Sequence, residues 1–246
     1  MKAVKLELYQ NFTSYRMESM YKYIQTYPLP TPSMITGMVH TILGLNTYHN
    51  LKIGIQGSTG SIFSNMQKIK KVDRSGADRL QTAHFTLVSE TGTLTAGKDG
   101  IMWVDLIPDV NLILHIVFDD ESLTEKLVKK ALSETYVLGR NEDSVRVDSC
   151  EIVELSEVTG RNTKIENNMY VDRRKDNQIV GLDYTLPFRY TTKIKDLLFE
   201  SKLDRQDLKE NRKFNKVVCA YARKGDSISK SALLSDGEVL VSLIEN

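Results

Sequence analysis

Two spacings of apolar side chains alternate along the first 156 residues of the chain. Residues 2–9 alternate apolar and polar side chains, which predicts a half-exposed strand. Residues 34–43 repeat apolar side chains every three or four positions, which predicts an amphipathic helix that Gly44 can end. A capping box of Ser122 and Glu125 predicts the start of a second helix. Further strand-like runs cover residues 51–57, 61–71, 101–118 and 145–155.

The order of these elements is strand, helix, strand, strand, helix, strand, which indicates an α+β, ferredoxin-like domain of the RNA-recognition type. Such a domain packs two helices on one face of a four-stranded sheet, and the open face commonly binds single-stranded RNA. Polar, glycine-containing residues at 66–100 predict an inserted β-hairpin. We therefore expect a ferredoxin-like domain over residues 1–156 and a smaller β-rich part over residues 157–246.

Composition is that of an ordinary globular protein. The 246 residues are 41% hydrophobic and 26% charged, with a net charge of +1. No apolar run approaches the ~20 residues that span a bilayer, and residues 1–10 are typical of a strand rather than a signal peptide. Cys150 and Cys219 lie far apart without metal-ligand spacing. We expect free thiols in a reducing cytoplasm, with no metal and no cofactor.

Acidic residues are missing from one long stretch of the chain. The 54 residues from Ser19 to Val72 contain no Asp or Glu, where the average composition predicts about seven. Cations and aromatic side chains are interleaved there, a combination that suits a polyanion with stackable bases. A well-buried core that needs few acids is the alternative. The side chains concerned are Lys22, Lys52, Lys68, Lys70, Lys71, Tyr21, Tyr23, Tyr27, Tyr48 and Phe63.

Prolines stiffen the backbone just before the first predicted helix, in the segment YPLPTPSMITG. Pro32 fixes its own backbone and biases Thr31 toward an extended conformation. Ser33 is the predicted N-cap, and the free amides of the first turn can then bind a phosphate group. Gly37 lies one turn further on, where a missing side chain permits close approach of another backbone. The alternative is an ordinary helix start without a ligand.

Two further features leave function and structure open. The turn Leu138-Gly139-Arg140 follows the second helix, and its arginine can bind a phosphate, bind a carboxylate or remain solvated. His84 lies in the predicted hairpin near Arg79. A metal-independent ribonuclease can use a histidine with a tyrosine and a lysine. Because no spacing brings such a set together, we predict no catalytic residue.

Three segments resemble a known family, namely KLELYQNFTSYR, YPLPTPSMITGMVHTILGL and YVLGRNEDSVRVDSCEIVEL. With the polar insertion between the second and third strands, they are similar to the fifth CRISPR-associated (Cas) protein family over about residues 1–156. The pattern YQN followed by PTPSMITGMVH looks most like members from type I-B systems. The resemblance implies a ferredoxin-like palm with a hairpin thumb over residues 66–100.

The resemblance also implies partners. Such a protein belongs to Cascade, a bacterial or archaeal antiviral ribonucleoprotein, where it holds the 5′ handle of the CRISPR RNA and caps the backbone filament. Its neighbours would be a Cas-seven backbone subunit and a large Cas-eight type subunit, and the complex would reach target DNA. No membrane is implied. The RNA-binding residues implied are Tyr15, Arg16, Ser33, Met34, Gly37, Lys68, Lys70, Lys71, Arg74, Arg79, Gly139 and Arg140.

Two other functions remain open at this point. Some type I-C members of the family process precursor CRISPR RNA with a Tyr, Lys and His set. Here Ala83 and not a lysine precedes His84, so we expect a non-catalytic subunit, with a metal-independent endoribonuclease as the alternative. The third hypothesis is a scaffold that acts mainly through protein contacts of the charged residues 193–216.

Overall fold

A computed structural model of the chain describes residues 1–18, 23–73, 83–88, 92, 94–192 and 212–246. The helices are α1 (Pro32–Leu43), α2 (Glu121–Ala131) and a 3-10 turn (Lys230–Ala232). The strands are β1 (Lys2–Thr13), β2 (Tyr15–Arg16), β3 (Tyr23–Ile24), β4 (Thr26–Tyr27), β5 (Leu51–Ser58), β6 (Phe63–Asp73), β7 (Phe85–Val88), β8 (Leu94–Phe118), β9 (Tyr136–Val137), β10 (Ser144–Glu154), β11 (Ser156–Glu157), β12 (Asn162–Lys164), β13 (Asn168–Asp172), β14 (Leu182–Thr192), β15 (Arg212–Ala222), β16 (Ser227–Ser229), β17 (Leu234–Ser235), β18 (Leu240–Val241) and β19 (Leu243–Ile244).

The centre of the fold is an antiparallel sheet in the order β5-β8-β1-β10. Leu6 on β1 lies opposite Leu114 on β8 and Cys150 on β10. The alternation predicted for β1 places Val4 and Leu8 on the same face as Leu6, and all three are buried. This order is that of a ferredoxin-like domain, so the predicted α+β fold of RNA-recognition type is confirmed.

Both long helices pack on this face of the sheet and share one hydrophobic core with it. Each large apolar side chain that the core removes from water contributes roughly 1.5–3 kcal/mol. The helical members of the core are Ile35, Met38, Val39, Ile42 and Leu43 on α1, and Leu123, Leu127 and Ala131 on α2.

The first helix begins one residue earlier than its predicted cap. Thr31 is the N-cap, and its Oγ1 accepts a hydrogen bond from the Met34 amide at 3.4 Å. Pro32 is the first helical residue, because its missing N–H is not needed there. The prediction of Ser33 as the cap is therefore wrong. Gly44 ends the helix with a φ of 68°, as predicted.

The second helix also begins before its predicted cap. Asp120 is the N-cap, and its carboxylate accepts a hydrogen bond from the Ser122 amide at 3.0 Å. Ser122 lies inside the first turn, so the capping box with Glu125 is wrong. Asp120, two residues earlier, instead caps the amide of Ser122 and adds a negative charge at the helix N-terminus.

The insertion is a β-hairpin that continues two palm strands outward. β6 pairs with residues 96–106 of β8, and residues 107–118 of β8 pair with β1 and β5. The hairpin thus begins at Phe63, three residues before the predicted boundary. At its base the Gly60 amide donates to the Pro108 carbonyl at 2.9 Å. A Cβ on Gly60 would lie 2.8 Å from the Pro108 ring, so a glycine is needed at this junction.

The C-terminal strands extend the same sheet. β13 pairs with β5, and β15 and β14 follow outward in the order β5-β13-β15-β14. Tyr170, Leu186 and Phe188 from these strands are fully buried in the core that the two helices form. The described residues of 157–246 therefore share a sheet and a core with those of 1–156. None of the helices in the described ranges is long and apolar enough to cross a membrane.

The second face of the sheet is partly covered, which corrects the expectation of an open face. Residues 233–245, which we call the C-terminal strap, cross this face and end as β19 beside β5. Val241 and Leu243 of the strap pack against Ala3 on β1 and Val153 on β10. Lys5 points to this face, and its side chain is only 3% exposed. The alternation of side chains in β1 predicted that Lys5 is exposed. Its partner Asp236 lies 231 positions later in the chain, so the spacing of nearby residues could not predict this contact.

Candidate nucleic-acid interface

One face of the hairpin combines exposed apolar side chains with cations. Residues directly opposite in an antiparallel pair point to the same face. Met66 lies opposite Trp103, Lys68 opposite Ile101 and Lys70 opposite Asp99. We call this surface the hairpin face; its members are Ser64, Met66, Lys68, Lys70, Asp99, Ile101, Trp103 and Asp105.

The apolar members of the hairpin face are open to solvent. Met66 is 56% exposed, Ile101 65% and Trp103 49%. A tryptophan that is half exposed at the centre of a strand stabilises the folded chain little, because much of its ring stays in water. It offers instead a flat surface on which a nucleobase can stack.

Two lysines lie beside these apolar side chains. Lys68 Nζ is 2.9 Å from the Asp99 carboxylate, and its side chain is 71% exposed. The hydrogen bond from Lys68 lowers the pKa of Asp99. Lys70 Nζ lies 5.2 Å from the centre of the Phe85 ring on β7. The partners fix the direction of both ammonium groups while leaving the hairpin face accessible to an anion.

Tyr23 borders the hairpin face at its inner end. β3 pairs in parallel with β8, which places Tyr23 beside Trp103. The Tyr23 hydroxyl donates to the Asp105 carboxylate at 2.6 Å, and Ser64 donates to the same oxygen at 2.6 Å. The tyrosine ring is 37% exposed. A hydrogen-bonded hydroxyl holds this ring in place, so the edge of the face is preorganised.

The remaining predicted hairpin cations do not share this face. Lys71 lies opposite Lys98, which places it on the other side of β6. Arg74 and Arg79 lie outside the described residues, as do residues 193–211 of the charged segment. Sequence reasoning missed Trp103. The signal was present in IMWVDL, where residues 101–104 are apolar at every position, so that one of the two faces had to expose them.

The Leu138-Gly139-Arg140 turn is held by a buried carboxylate. Gly139 has a φ of 111°, which favours glycine, and a Cβ there would lie 2.8 Å from Asp143 and from Thr13. The Asp143 carboxylate accepts from the Ser14 amide at 2.9 Å and from the Arg140 amide at 2.9 Å. Because the glycine permits this close approach, the turn is fastened to the end of β1.

The Arg140 side chain faces carboxylates. Its Nη2 lies 2.7 Å from Asp143, and its Nη1 lies 2.9 Å from Glu142. The same Nη1 donates to Gln67 on the hairpin at 3.4 Å, and the side chain is only 17% exposed. The sequence left a phosphate or a carboxylate as the possible partner of Arg140, and in the structure its guanidinium contacts carboxylates. Arg140 links the palm turn to the hairpin and holds little unbalanced charge for a phosphate.

Tyr15 and Arg16 occupy different environments. Tyr15 is fully buried, and its hydroxyl donates to Gln10 at 2.7 Å. Burial raises the pKa of this tyrosine. Gln10 in turn donates to the Leu138 carbonyl at 2.9 Å. The Tyr15 side chain thus supports the Leu138-Gly139-Arg140 turn from inside, while Arg16 is exposed at the surface.

The first turn of α1 leaves fewer free amides than its sequence indicated. Met34 and Ile35 donate to the Thr31 carbonyl at 3.0 and 3.2 Å. Pro32 has no amide hydrogen, and the Ser33 hydroxyl bonds the Thr31 hydroxyl at 3.1 Å. Gly37 is exposed and has no other atom within 4 Å of an added Cβ. This helix start is therefore closed by its own cap, and in the part of the chain that the structure describes no backbone approaches Gly37.

His84 lies next to the hairpin face. It is half exposed, and its Nδ1 accepts a hydrogen bond from the Asp99 amide at 3.2 Å. Lys68 shares Asp99 with it, so a histidine, a lysine and a carboxylate meet at this point. Tyr23 lies beside Trp103, four residues along β8 and roughly 13 Å away. Among the described residues, no group of three His, Cys, Asp or Glu side chains could hold a metal ion.

A family model described as CRISPR-associated protein (Cas_Cas5) matches residues 3–215. Curated protein sequences give no match. A solved structure titled "CRISPR RNA-guided surveillance complex" is 13% identical, covers 91% of this chain and 90% of its own, and has a TM-score of 0.55. A CRISPR protein from Archaeoglobus fulgidus is 12% identical over 100% of both chains, with a TM-score of 0.48.

The family match spans the palm, the hairpin, β13, β14 and the first four residues of β15. The first of the two solved structures shares the fold over nine tenths of both chains. The resemblance read from the three sequence segments and the match to the family model agree. This chain belongs to the CRISPR-associated protein (Cas_Cas5) family.

Proposed function

We propose that this chain is the Cas5 subunit of a CRISPR RNA-guided surveillance complex, where it holds the 5′ handle of the CRISPR RNA without cutting it. Family membership supports a place in such a complex. The observation that carries the RNA-binding role is the hairpin face. There, exposed Trp103 and Ile101 lie beside Lys68 and Lys70, with Tyr23 at the edge.

The chemistry of this surface suits single-stranded RNA. Trp103 and Tyr23 offer rings for base stacking, which is worth roughly 1–3 kcal/mol per base. Lys68 and Lys70 are exposed cations, and the Lys68–Asp99 ion pair and the contact of Lys70 with the Phe85 ring exchange readily for phosphate contacts.

The experiment uses the assembled complex. The variant Lys68→Glu with Lys70→Glu is co-expressed with the other subunits and a CRISPR array, and RNA per complex is measured. We expect less bound RNA and a salt slope lower by about 1.4, because each lost phosphate contact removes roughly 0.7 from the slope. The matched control reverses Lys126 and Lys129 on α2. Equal RNA content in the two variants would refute the role of the hairpin face.

Finer features belong to the same proposal. The YQN and PTPSMITGMVH segments support a type I-B system, a Cas-seven backbone subunit and a large Cas-eight type subunit as neighbours, with a capping position at the end of the filament. Pull-down of tagged chain with each candidate subunit tests these contacts. Co-purification of neither subunit in the presence of CRISPR RNA would contradict the capping position.

A metal-independent endoribonuclease is the second candidate, and the meeting of His84, Lys68 and Asp99 is the observation that favours it. End-labelled repeat RNA is incubated in chelator with the purified chain and with His84→Ala. We expect an intact repeat with both. A discrete cut that is lost in His84→Ala would replace the holding role with a processing role.

A scaffold that works through residues 193–216 is the third candidate. Of this segment the structure describes residues 212–216, which belong to β15, where Lys216 bonds to Glu18. Replacing residues 193–211 with a short Gly-Ser linker keeps β14 and β15 paired, because Thr192 lies directly opposite Arg212. Loss of assembly with RNA binding intact would favour the scaffold over the RNA-holding role.

A further inference from the structure

The C-terminal strap is acidic. Residues 231–246 contain three carboxylates and no Lys or Arg. The three are Asp236, Glu238 and Glu245, and all lie on the strap. The sheet face below the strap carries basic side chains, namely Lys5, Lys52 and His115. The acidic residues therefore lie on the strap and the basic residues lie on the sheet.

Each strap carboxylate meets a cation of the sheet. Lys5 Nζ forms an ion pair with Glu238 and lies 3.5 Å from Asp236. His115 Nε2 lies 2.9 Å from Asp236, and as the neutral imidazole it donates to that carboxylate. Lys52 Nζ lies 3.0 Å from Glu245. Burial lowers the pKa of His115, which keeps the ring in this neutral form.

Backbone carbonyls of the strap are bound in the same way. Lys175 Nζ donates to the Leu243 carbonyl at 2.8 Å, and Arg174 donates to the Glu245 carbonyl. Gln56 donates to the Leu240 carbonyl at 2.9 Å. Arg174 is also held by the buried Asp172. Among the described residues, the ammonium groups of Lys5, Lys52 and Lys175 contact oxygens of the strap, and Lys5 also lies 3.9 Å from Glu7.

The strap therefore presents to the sheet what a nucleic-acid backbone would present: a row of anionic and carbonyl oxygens along an extended chain. The part of this sheet face that the strap leaves open is different. Glu7, Asp109 and Asp148 add carboxylates there, beside Tyr9 and Arg146. The cationic surface is confined to the area under the strap.

We propose that the strap is a built-in acidic occupant of a second binding surface for single-stranded nucleic acid, formed by Lys5, Lys52 and Lys175. While the strap is seated, the RNA-recognition face of the sheet is closed and RNA binds at the hairpin face alone. When the strap is released, the three lysines take phosphate groups in place of its carboxylates and carbonyls.

The test compares two triple variants of the full chain, both made in a Lys68→Gln, Lys70→Gln background that weakens the hairpin face. The strap variant is Asp236→Asn, Glu238→Gln, Glu245→Gln. The control, Glu121→Gln, Glu125→Gln, Glu134→Gln, makes the same charge change around α2. Binding of a fluorescein-labelled oligouridine is followed by anisotropy over a range of salt concentrations, and hydrogen exchange at Leu243 and Ile244 reports seating of the strap.

We expect the strap variant to bind oligouridine about fivefold or more tighter than the control, with a salt slope steeper by about 2, from three lysines at roughly 0.7 each. Exchange at β19 should rise in the same variant. Equal affinity of the two variants overturns the proposal, whether or not the strap opens. If Asn at position 236 prevents folding, Glu238→Gln with Glu245→Gln replaces the triple variant, because both side chains are at least 41% exposed. The same comparison then decides.

Discussion

Two cationic surfaces of this chain differ in what neutralises them. On the hairpin face, Lys68 is 71% exposed and pairs with an Asp99 that is itself partly in water. On the sheet face, Lys5 is 3% exposed and pairs with carboxylates of the strap. An exposed pair exchanges its partner at little cost in free energy, whereas a buried pair cannot lose one member without leaving the other uncompensated.

This difference shows why the number of lysines along the sequence does not indicate which surface is open to a ligand. Lysines on both surfaces look alike in an alternating strand. Their accessibility depends on whether a distant segment of the same chain brings acids to them. The acid-free stretch from Ser19 to Val72 contains Lys52, which the strap pairs with Glu245, as well as Lys68 and Lys70, which face solvent.

The largest expected effect comes from one substitution made on each surface. Lys5→Met should lower the free energy of unfolding by about 3–5 kcal/mol, because it leaves Asp236 buried beside His115 without its ammonium partner. Lys68→Met, the matched control, should change it by about 1 kcal/mol or less. Urea unfolding of both variants measures the difference. Similar losses in the two would show that the surfaces do not differ as described.

The next effect sharpens the role of the hairpin face. Trp103→Ala should weaken RNA binding by about 1–3 kcal/mol, because one stacked base loses its platform. Its melting temperature should stay close to that of the parent chain, since the ring is 49% exposed. Trp103→Phe, which keeps a ring, should retain most of the affinity. Equal losses in both variants would show that the ring does not stack on a base.

Acid should act on the strap before it acts on the hairpin. Burial lowers the pKa of His115 below 6.5, so the unfolded chain takes the proton first, and stability falls as the pH drops below about 6.5. Asp236 has a pKa of about 2 and stays ionised throughout this range. Lys5 and Asp236 face the ring, and Lys5 stays protonated because its carboxylate partners outweigh its burial and raise its pKa.

Thermal melts between pH 8 and 5 measure this loss, and His115→Gln should flatten the profile. Burial also lowers the pKa of His40, which contributes a change of the same sign, so the flattening is partial. His40→Gln serves as the matched control. An unchanged profile in His115→Gln would mean that the imidazole under the strap does not set the acid sensitivity.

The smallest effect lies at the start of α1, away from both surfaces. Thr31→Ala should lower the free energy of unfolding by about 1 kcal/mol, because the Met34 amide loses its side-chain acceptor. Ser33→Ala should have little effect, since Thr31 is the cap. Chemical denaturation of the two variants separates them. A larger loss in Ser33→Ala would return the cap to the residue that the sequence indicated.

Local spacing was enough to predict the palm. The period of apolar side chains in β1, α1, β5 and β10 depends on neighbours within a few residues, and the ferredoxin-like order follows from it. Both helix caps were wrong by two positions, because Thr31 and Asp120 compete with equally suitable residues two positions further along the chain. Only the backbone geometry decides which side chain reaches the free amides.

The site was harder to predict because it depends on contacts between distant residues. Gln67 and Arg140 meet across 73 positions, and Lys5 and Glu238 across 233. Tyr15 and Arg140 were implied as RNA contacts by resemblance, yet the fold buries one and pairs the other with carboxylates. Trp103 escaped notice because its strand is apolar on both faces, which conceals the face that stays in water.

One strand, β8, runs for 25 residues from the outer part of the hairpin to the centre of the palm. At ~3.3 Å per residue this is about 80 Å of continuous chain. Its inner half is clamped between β1 and β5, while its outer half carries Trp103 and Asp99. The hairpin is therefore continuous with a central strand of the core. We expect a force applied to the hairpin by a bound strand to be transmitted along β8 to the middle of the core.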